Sequence, residues 1–206
     1  MKSLREEGTI WLHFGGPFVI WLLILFFSNH LQIDIEALKQ VPDAISLYAI
    51  IYFIFTRWAW KSVIFKGWLV KVPYIQGTWE GTFESTWKNE QGQTMGPTKM
   101  ILVLKQTFSS ISCLAYTKES SSYSTTAQIN EDDDSGVFRL SYNYTNRSKA
   151  SIRDRSQIHD GAAILQIFEK PAMCLEGEYW TSRKTTGDMK LRFKTKKLLQ
   201  GFPNND

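Results

Sequence analysis

The chain has 206 residues, 43% hydrophobic and 14% aromatic, with a net charge of +4, but apolar residues make up about 59% of residues 1–73 and only about 35% of residues 74–206. The first part matches a membrane and the second, long enough to bury its own core, matches water, which excludes a disordered tail. Basic and acidic residues stand at 7 against 5 through Pro73 and 17 against 15 beyond it, so neither part is a general polyanion binder and no DNA or RNA polymer is expected as a partner.

Residues 11–28 read WLHFGGPFVIWLLILFFS, with one titratable side chain, His13, and an unbroken apolar core from Pro17 to Phe27. That approaches the length of a bilayer span. No small-x-small cleavage site follows, which argues against a signal peptide. A second run, AISLYAIIYFIFTRWAW at residues 44–60, is uncharged until Arg57 and carries Tyr and Trp near its ends, as interfacial belts do. Helices apolar on every face need a bilayer or a large surrounding protein, so a two-helix transmembrane hairpin is expected.

Lys2 and Arg5 precede the first run, and Arg57, Lys61, Lys66 and Lys71 follow the second, with only Lys39 between them. The excess of basic residues places both termini of the hairpin on the cytoplasmic side. Residues 61–73, KSVIFKGWLVKVP, then alternate basic and bulky apolar residues. This suits either a segment at the headgroup surface or a continuation of the second helix.

Past Pro73 the period becomes two. Thr78, Glu80, Thr82, Glu84 and Thr86 interleave with Trp79, Gly81, Phe83, Ser85 and Trp87, the pattern of a strand with one wet face. Further strands are expected at residues 99–106, 111–117, 123–129 after a serine-rich turn, 137–144 after the EDDDSG turn, 162–169, 173–181 and 188–195. Eight short strands without a crossover helix favour an all-β, antiparallel up-and-down β-barrel, since closure removes exposed edges; an open two-sheet sandwich is the alternative. The expected division is a membrane hairpin with its linker over residues 1–73 and a cytoplasmic ligand-sensing barrel over residues 74–206.

The inward positions include Gly81, Ser85, Tyr142, Tyr144, Gly177, Tyr179 and Thr181, a lining more polar than greasy. The glycines are expected to leave room. The tyrosines offer stacking faces and hydroxyls, which suits a polar aromatic ligand, and equally they can pack as core with their tips at the rim. Two basic stretches lie close by, residues 147–155 as a loop and Arg183-Lys184. Guanidinium groups bind phosphate oxygens bidentately, so Arg153, Arg155 or Arg183 at a barrel mouth would clamp a phosphodiester while tyrosines stack its bases. The candidate ligand-binding set is Tyr142, Tyr144, Arg153, Tyr179, Thr181 and Arg183.

Enzymatic signatures are missing: there is no nucleophile elbow, P-loop, glycine-rich dinucleotide turn or HExxH. His13, His30 and His159 are scattered and are expected to be incidental, and Cys113 and Cys174 have neither disulfide nor metal spacing, which fits a reducing compartment. No catalysis, cofactor or metal is expected.

The layout of two N-terminal spans followed by a β-rich domain that opens with PYIQGTWEGTFESTW and closes with LEGEYWTSRKTTGDMKLRF resembles a bacterial family, with the patterns Gly77-x-Trp79-x-Gly81 and Gly177-x-Tyr179-x-Thr181-x-Arg183. That family is the two-transmembrane, β-strand-rich effector of CBASS, the anti-phage signalling systems based on cyclic oligonucleotides. The resemblance implies that a cyclic di- or oligonucleotide enters the barrel, that protomers then associate, and that the membrane segments disrupt the inner membrane and arrest growth or kill the cell. Gly77-x-Trp79 also resembles the first-strand motif of lipocalins, in which a tryptophan plugs one barrel end; the alternative function is a membrane-tethered carrier or sensor of an apolar small molecule.

Overall fold

The computed structural model describes residues 4–28, 32–88, 91–94, 96–132, 134–169 and 172–203, with side chains from Gly15 onward. Lys2 and His30 fall outside these residues, as do the side chains of Arg5 and His13. The chain forms two compact units, residues 1–71 and 72–206.

The first unit is helical: α1 (Leu4–Phe27), α2 (Ile35–Lys39) and α3 (Val41–Arg57). α1 packs on α3 at Gly16, where an added Cβ would fall 2.3 Å from Cε2 of Tyr48, so a glycine is what allows the two helices so near each other. Asp34 caps α2 by accepting from the Ala37 N–H at 2.9 Å, and the Trp21 indole N–H donates to the Ala37 carbonyl at 2.9 Å. The other faces are apolar and exposed, with Phe18, Leu22 and Phe26 on α1 and Ile50, Phe53 and Ile54 on α3.

The segment Ile35–Arg57 is long and apolar enough to cross a membrane, whereas the apolar stretch Gly15–Phe27 is shorter. The second apolar run therefore starts earlier than residue 44, because α2 leads directly into α3 with Pro42 in its first turn, where a missing N–H costs nothing. It also stops earlier than residue 60. Beyond Arg57 the chain turns through two 3₁₀ segments, Ala59–Lys61 and Val63–Phe65, so α3 does not run on to Pro73. Trp58, Ile64 and Trp68 lie exposed in this stretch.

The second unit is a closed barrel of eight antiparallel strands in sequence order: β1 (Gly77–Ser85), β2 (Thr98–Gln106), β3 (Ile111–Tyr116), β4 (Ser120–Glu131), β5 (Phe138–Ser148), β6 (His159–Phe168), β7 (Cys174–Thr181) and β8 (Thr186–Thr195). Pairing of β1 with β8, from Thr78 against Thr195 to Ser85 against Gly187, closes the sheet and sets the sandwich alternative aside. The expected serine-rich turn is strand: β4 begins at Ser120, and the turn is confined to Thr117–Glu119, whose Thr117 hydroxyl accepts from the N–H groups of Glu119 and Ser120. A bulge at Thr125 interrupts the β4–β5 register, and the Ser124 hydroxyl accepts the Cys113 N–H at 2.9 Å. Serine is useful here because a strand leaving its ladder still owes its neighbour an acceptor.

One end of the barrel is packed solid. Trp79, Leu102, Leu104, Leu140, Leu165, Leu175 and Leu191 are fully buried there, and the Trp79 indole N–H donates to the Ile75 carbonyl at 3.0 Å. The buried Gln106 amide accepts from the Ile75 N–H at 2.9 Å and donates to the Pro73 carbonyl at 3.0 Å, so the entering chain is clasped to this end. The Thr78 hydroxyl donates to the Lys197 carbonyl at 2.6 Å and accepts from the Leu199 N–H at 3.2 Å, fixing the segment after β8 as well. Both cysteines are free thiols, and burial pushes the Cys113 thiol up.

The glycines at inward positions do not all leave room. An added Cβ on Gly81 would meet the Lys190 carbonyl oxygen at 1.9 Å, and one on Gly177 would meet that of Ile164 at 2.1 Å. These two positions let neighbouring backbones coil tightly, a role glycine takes at barrel bends.

Replacing Trp79 with Ala should lower the barrel's stability by about 3–5 kcal/mol, as expected for truncating a fully buried large aromatic. Urea denaturation followed by circular dichroism measures it; a loss under about 1 kcal/mol would show that the indole is not what fills this end.

Candidate functional site

The other end is open and holds a cavity of about 520 Å³, within the range of small-molecule sites. Its rim is built by the four connections β1–β2, β3–β4, β5–β6 and β7–β8, which up-and-down topology brings to one end. Phe83, Met100, Tyr142, Tyr179 and Met189 line its deeper part, with the last four buried or nearly so.

Five of the six candidates meet here: Tyr142, Tyr144, Tyr179, Thr181 and Arg183 all line the cavity. The strand period brings the first four together, since inward residues on paired strands share one interior. Arg153 does not join them. It follows the 3₁₀ turn Ala150–Ile152, is exposed, and lies outside the lining, whereas Arg155, two residues on, is part of it. A 3₁₀ turn rotates successive side chains by about 120°, so the alternation of the strands does not carry through it. The expected loop is also shorter, because β5 continues to Ser148 and Arg147 sits 5.5 Å above the Tyr123 ring.

The Tyr142 and Tyr144 ring centroids stand 5.8 Å apart, and Phe83 meets Tyr179 edge to face at 5.9 Å. Two cross-strand glycines accommodate the tyrosines. A Cβ on Gly161 would lie 2.5 Å from Cζ of Tyr144, and one on Gly187 2.7 Å from Cε1 of Tyr179. Each ring thus lies over the glycine paired with it across the ladder.

Burial pushes the hydroxyls of Tyr142, Tyr144 and Tyr179 up; Cys113 adds to this for Tyr142 and Tyr179 adds to it for Tyr144. Arg183 acts against the rise at Tyr144 and Tyr179. All three phenols are neutral near pH 7 and remain hydrogen-bond donors. The Arg183 guanidinium donates to the Ser156 hydroxyl at 3.3 Å, which lies 2.9 Å from that of Ser148, while the Thr181 and Thr185 hydroxyls are 2.7 Å apart. Hydroxyl pairs beside a guanidinium can rotate to offer protons to an anion.

His159, Glu119 and Arg155 also line the cavity. The histidine's place follows from the β6 period, being inward with Gly161 and Ala163, but β6 begins three residues before the expected strand. Its ring is pushed down by burial, a trend reinforced by Arg183 and opposed by the Gln157 carbonyl, which accepts from Nδ1 at 2.8 Å, and by Asp160. Among the described residues, no group of three His, Cys, Asp or Glu side chains is placed to hold a metal.

With a folded pKa below the ordinary 6.5, His159 is protonated more readily in the unfolded chain. Its effect on stability is therefore nil above about pH 6.5, and stability is lost as pH falls from there through the lowered folded value. Melting temperatures of wild type and His159→Gln between pH 7.5 and 5.5 should show a shallower acid-side decline in the variant; superimposable profiles would contradict the assignment.

Residues 70–193 match the family model described as Cap15, cyclic dinucleotide receptor domain. The chain is 30% identical over 176 residues to CD-NTase-associated protein 15 of Escherichia albertii, covering 84% of this chain and 86% of that protein. It is 27% identical over 174 residues to CD-NTase-associated protein 15 of Staphylococcus schleiferi, covering 84% and 90%.

Proposed function

The chain belongs to the family of Cap15 cyclic dinucleotide receptor domains, and from that membership we propose that it is a CBASS effector that takes a cyclic dinucleotide into the open end of its barrel. The observation that carries this reading is the cavity's composition: neutral tyrosines held over glycines, hydroxyl pairs, and the guanidinium groups of Arg155 and Arg183 at one mouth. Purine or pyrimidine rings stack on tyrosine faces, and phosphodiesters take charge-assisted hydrogen bonds from arginine. The chain acts as a receptor, not as an enzyme.

α1 and the segment Ile35–Arg57 are proposed to form a hairpin in the inner membrane, with the N-terminus and the barrel in the cytoplasm. The exposed apolar faces of α1 and α3 support it, as do the basic residues that flank them and the exposed Trp58 and Trp68 beside Lys61 and Lys66, residue types that favour a headgroup surface. Two apolar helices with no row of charges do not enclose a water path alone, so ligand-driven association of several copies is the step that disrupts the membrane.

The full chain in detergent, melted with cyclic dinucleotides, linear mononucleotides or fatty acids, should be stabilised by the first class alone, by about 2.7 kcal/mol at a hundredfold excess over Kd. Arg183→Ala should weaken that binding about 10- to 100-fold, the loss of a hydrogen bond to a charged group, and should abolish ligand-dependent oligomers and toxicity in cells. Deleting residues 1–70 should remove toxicity while retaining binding. Stabilisation by fatty acids alone would favour the apolar carrier.

A further inference from the structure

We propose that Glu119 is an internal competitor for the ligand's phosphate, a carboxylate that occupies Arg155 and raises the nucleotide concentration at which the receptor fills. The proposal rests on the cyclic dinucleotide reading of the cavity.

Two arginines reach this mouth in different circumstances. Arg183 is hydrogen-bonded to a neutral hydroxyl, and among the described residues it pairs with no carboxylate. Arg155 forms an ion pair with Glu119, and both partners line the cavity. The Glu119 backbone is held on two sides: its N–H donates to the Thr117 hydroxyl at 3.1 Å, and its carbonyl accepts from the Lys149 N–H at 2.8 Å. The carboxylate is thus presented from a fixed turn toward the β5–β6 connection that carries Arg155. A phosphodiester needs the same guanidinium edge.

Exchange is feasible because the pair is half solvated, with side-chain exposures of 56% for Arg155 and 48% for Glu119. Ion pairs this exposed are weak and easily replaced. An arriving phosphodiester takes Arg155 while the Glu119 carboxylate turns into water. No bond is made or broken; one anion replaces another on the guanidinium. If Glu119 served instead to orient Arg155, or to bind a nucleobase, its neutralisation would weaken binding, so the sign of the effect separates the roles.

The test is calorimetric titration of the full-length chain in detergent micelles with cyclic di-AMP, cyclic di-GMP and cyclic di-UMP, for wild type, Glu119→Gln and Glu119→Ala. Both variants should bind the preferred nucleotide about two- to fivefold more tightly than wild type, the change expected from freeing a half-exposed guanidinium, with melting temperatures unchanged in the absence of nucleotide. The alanine variant guards against a glutamine that keeps a hydrogen bond to Arg155. Unchanged or weaker binding by both variants, with wild type binding normally, overturns the competitor role alone. Failure of wild type to bind any of the three overturns the cyclic dinucleotide reading and this proposal with it.

Discussion

Pairing of β1 with β8 is the constraint on which the rest of the second unit depends, because once the first and last strands share a ladder the interior has a fixed circumference and every inward side chain must share one volume. Eight strands leave space for packed side chains or for one small ligand. This chain divides the interior between the two uses. Leucines and Trp79 fill one end with fully buried side chains, and tyrosines, hydroxylated residues and two methionines line the cavity at the other. The solid end is what makes the open end possible, since its buried area stabilises a barrel whose remaining interior is not filled.

The same closure explains the two uses of glycine. Gly81 and Gly177 lie where adjacent backbones approach within carbonyl contact, so they bend the sheet. Gly161 and Gly187 underlie tyrosine rings, and Gly187 serves both purposes, since an added Cβ there would also meet the Glu84 carbonyl oxygen at 1.9 Å. One residue type thus shapes the wall at one level and the lumen at another.

Much of this was legible in the sequence, because period-two alternation is a direct record of which face a strand buries. It marked eight antiparallel strands and the inward phase of Tyr142, Tyr144, Tyr179 and Thr181, while Trp79 as a plug came only from the resemblance of Gly77-x-Trp79 to a lipocalin motif. What it did not give lies where periodicity stops. Arg153 and Arg155 both follow a 3₁₀ turn, through which the alternation of the strands does not carry. Ser120 and Ser122 read as turn because serine favours turns locally, but cross-strand partners in β3 and β5 hold them in a ladder. The roles of the glycines were ambiguous for a similar reason, since a strand glycine marks a close approach without saying whether backbone or ring makes it.

The entering chain and the segment after β8 are both tied to the solid end, by Gln106 and by Thr78. The four connections at the other end hold neither of these attachments, and one of them, β5–β6, contains the 3₁₀ turn Ala150–Ile152. Such connections can lengthen, shorten or exchange residues at little thermodynamic cost. Substitutions in these four connections can therefore reshape the mouth of the cavity without touching the contacts that tie both chain ends to the solid end.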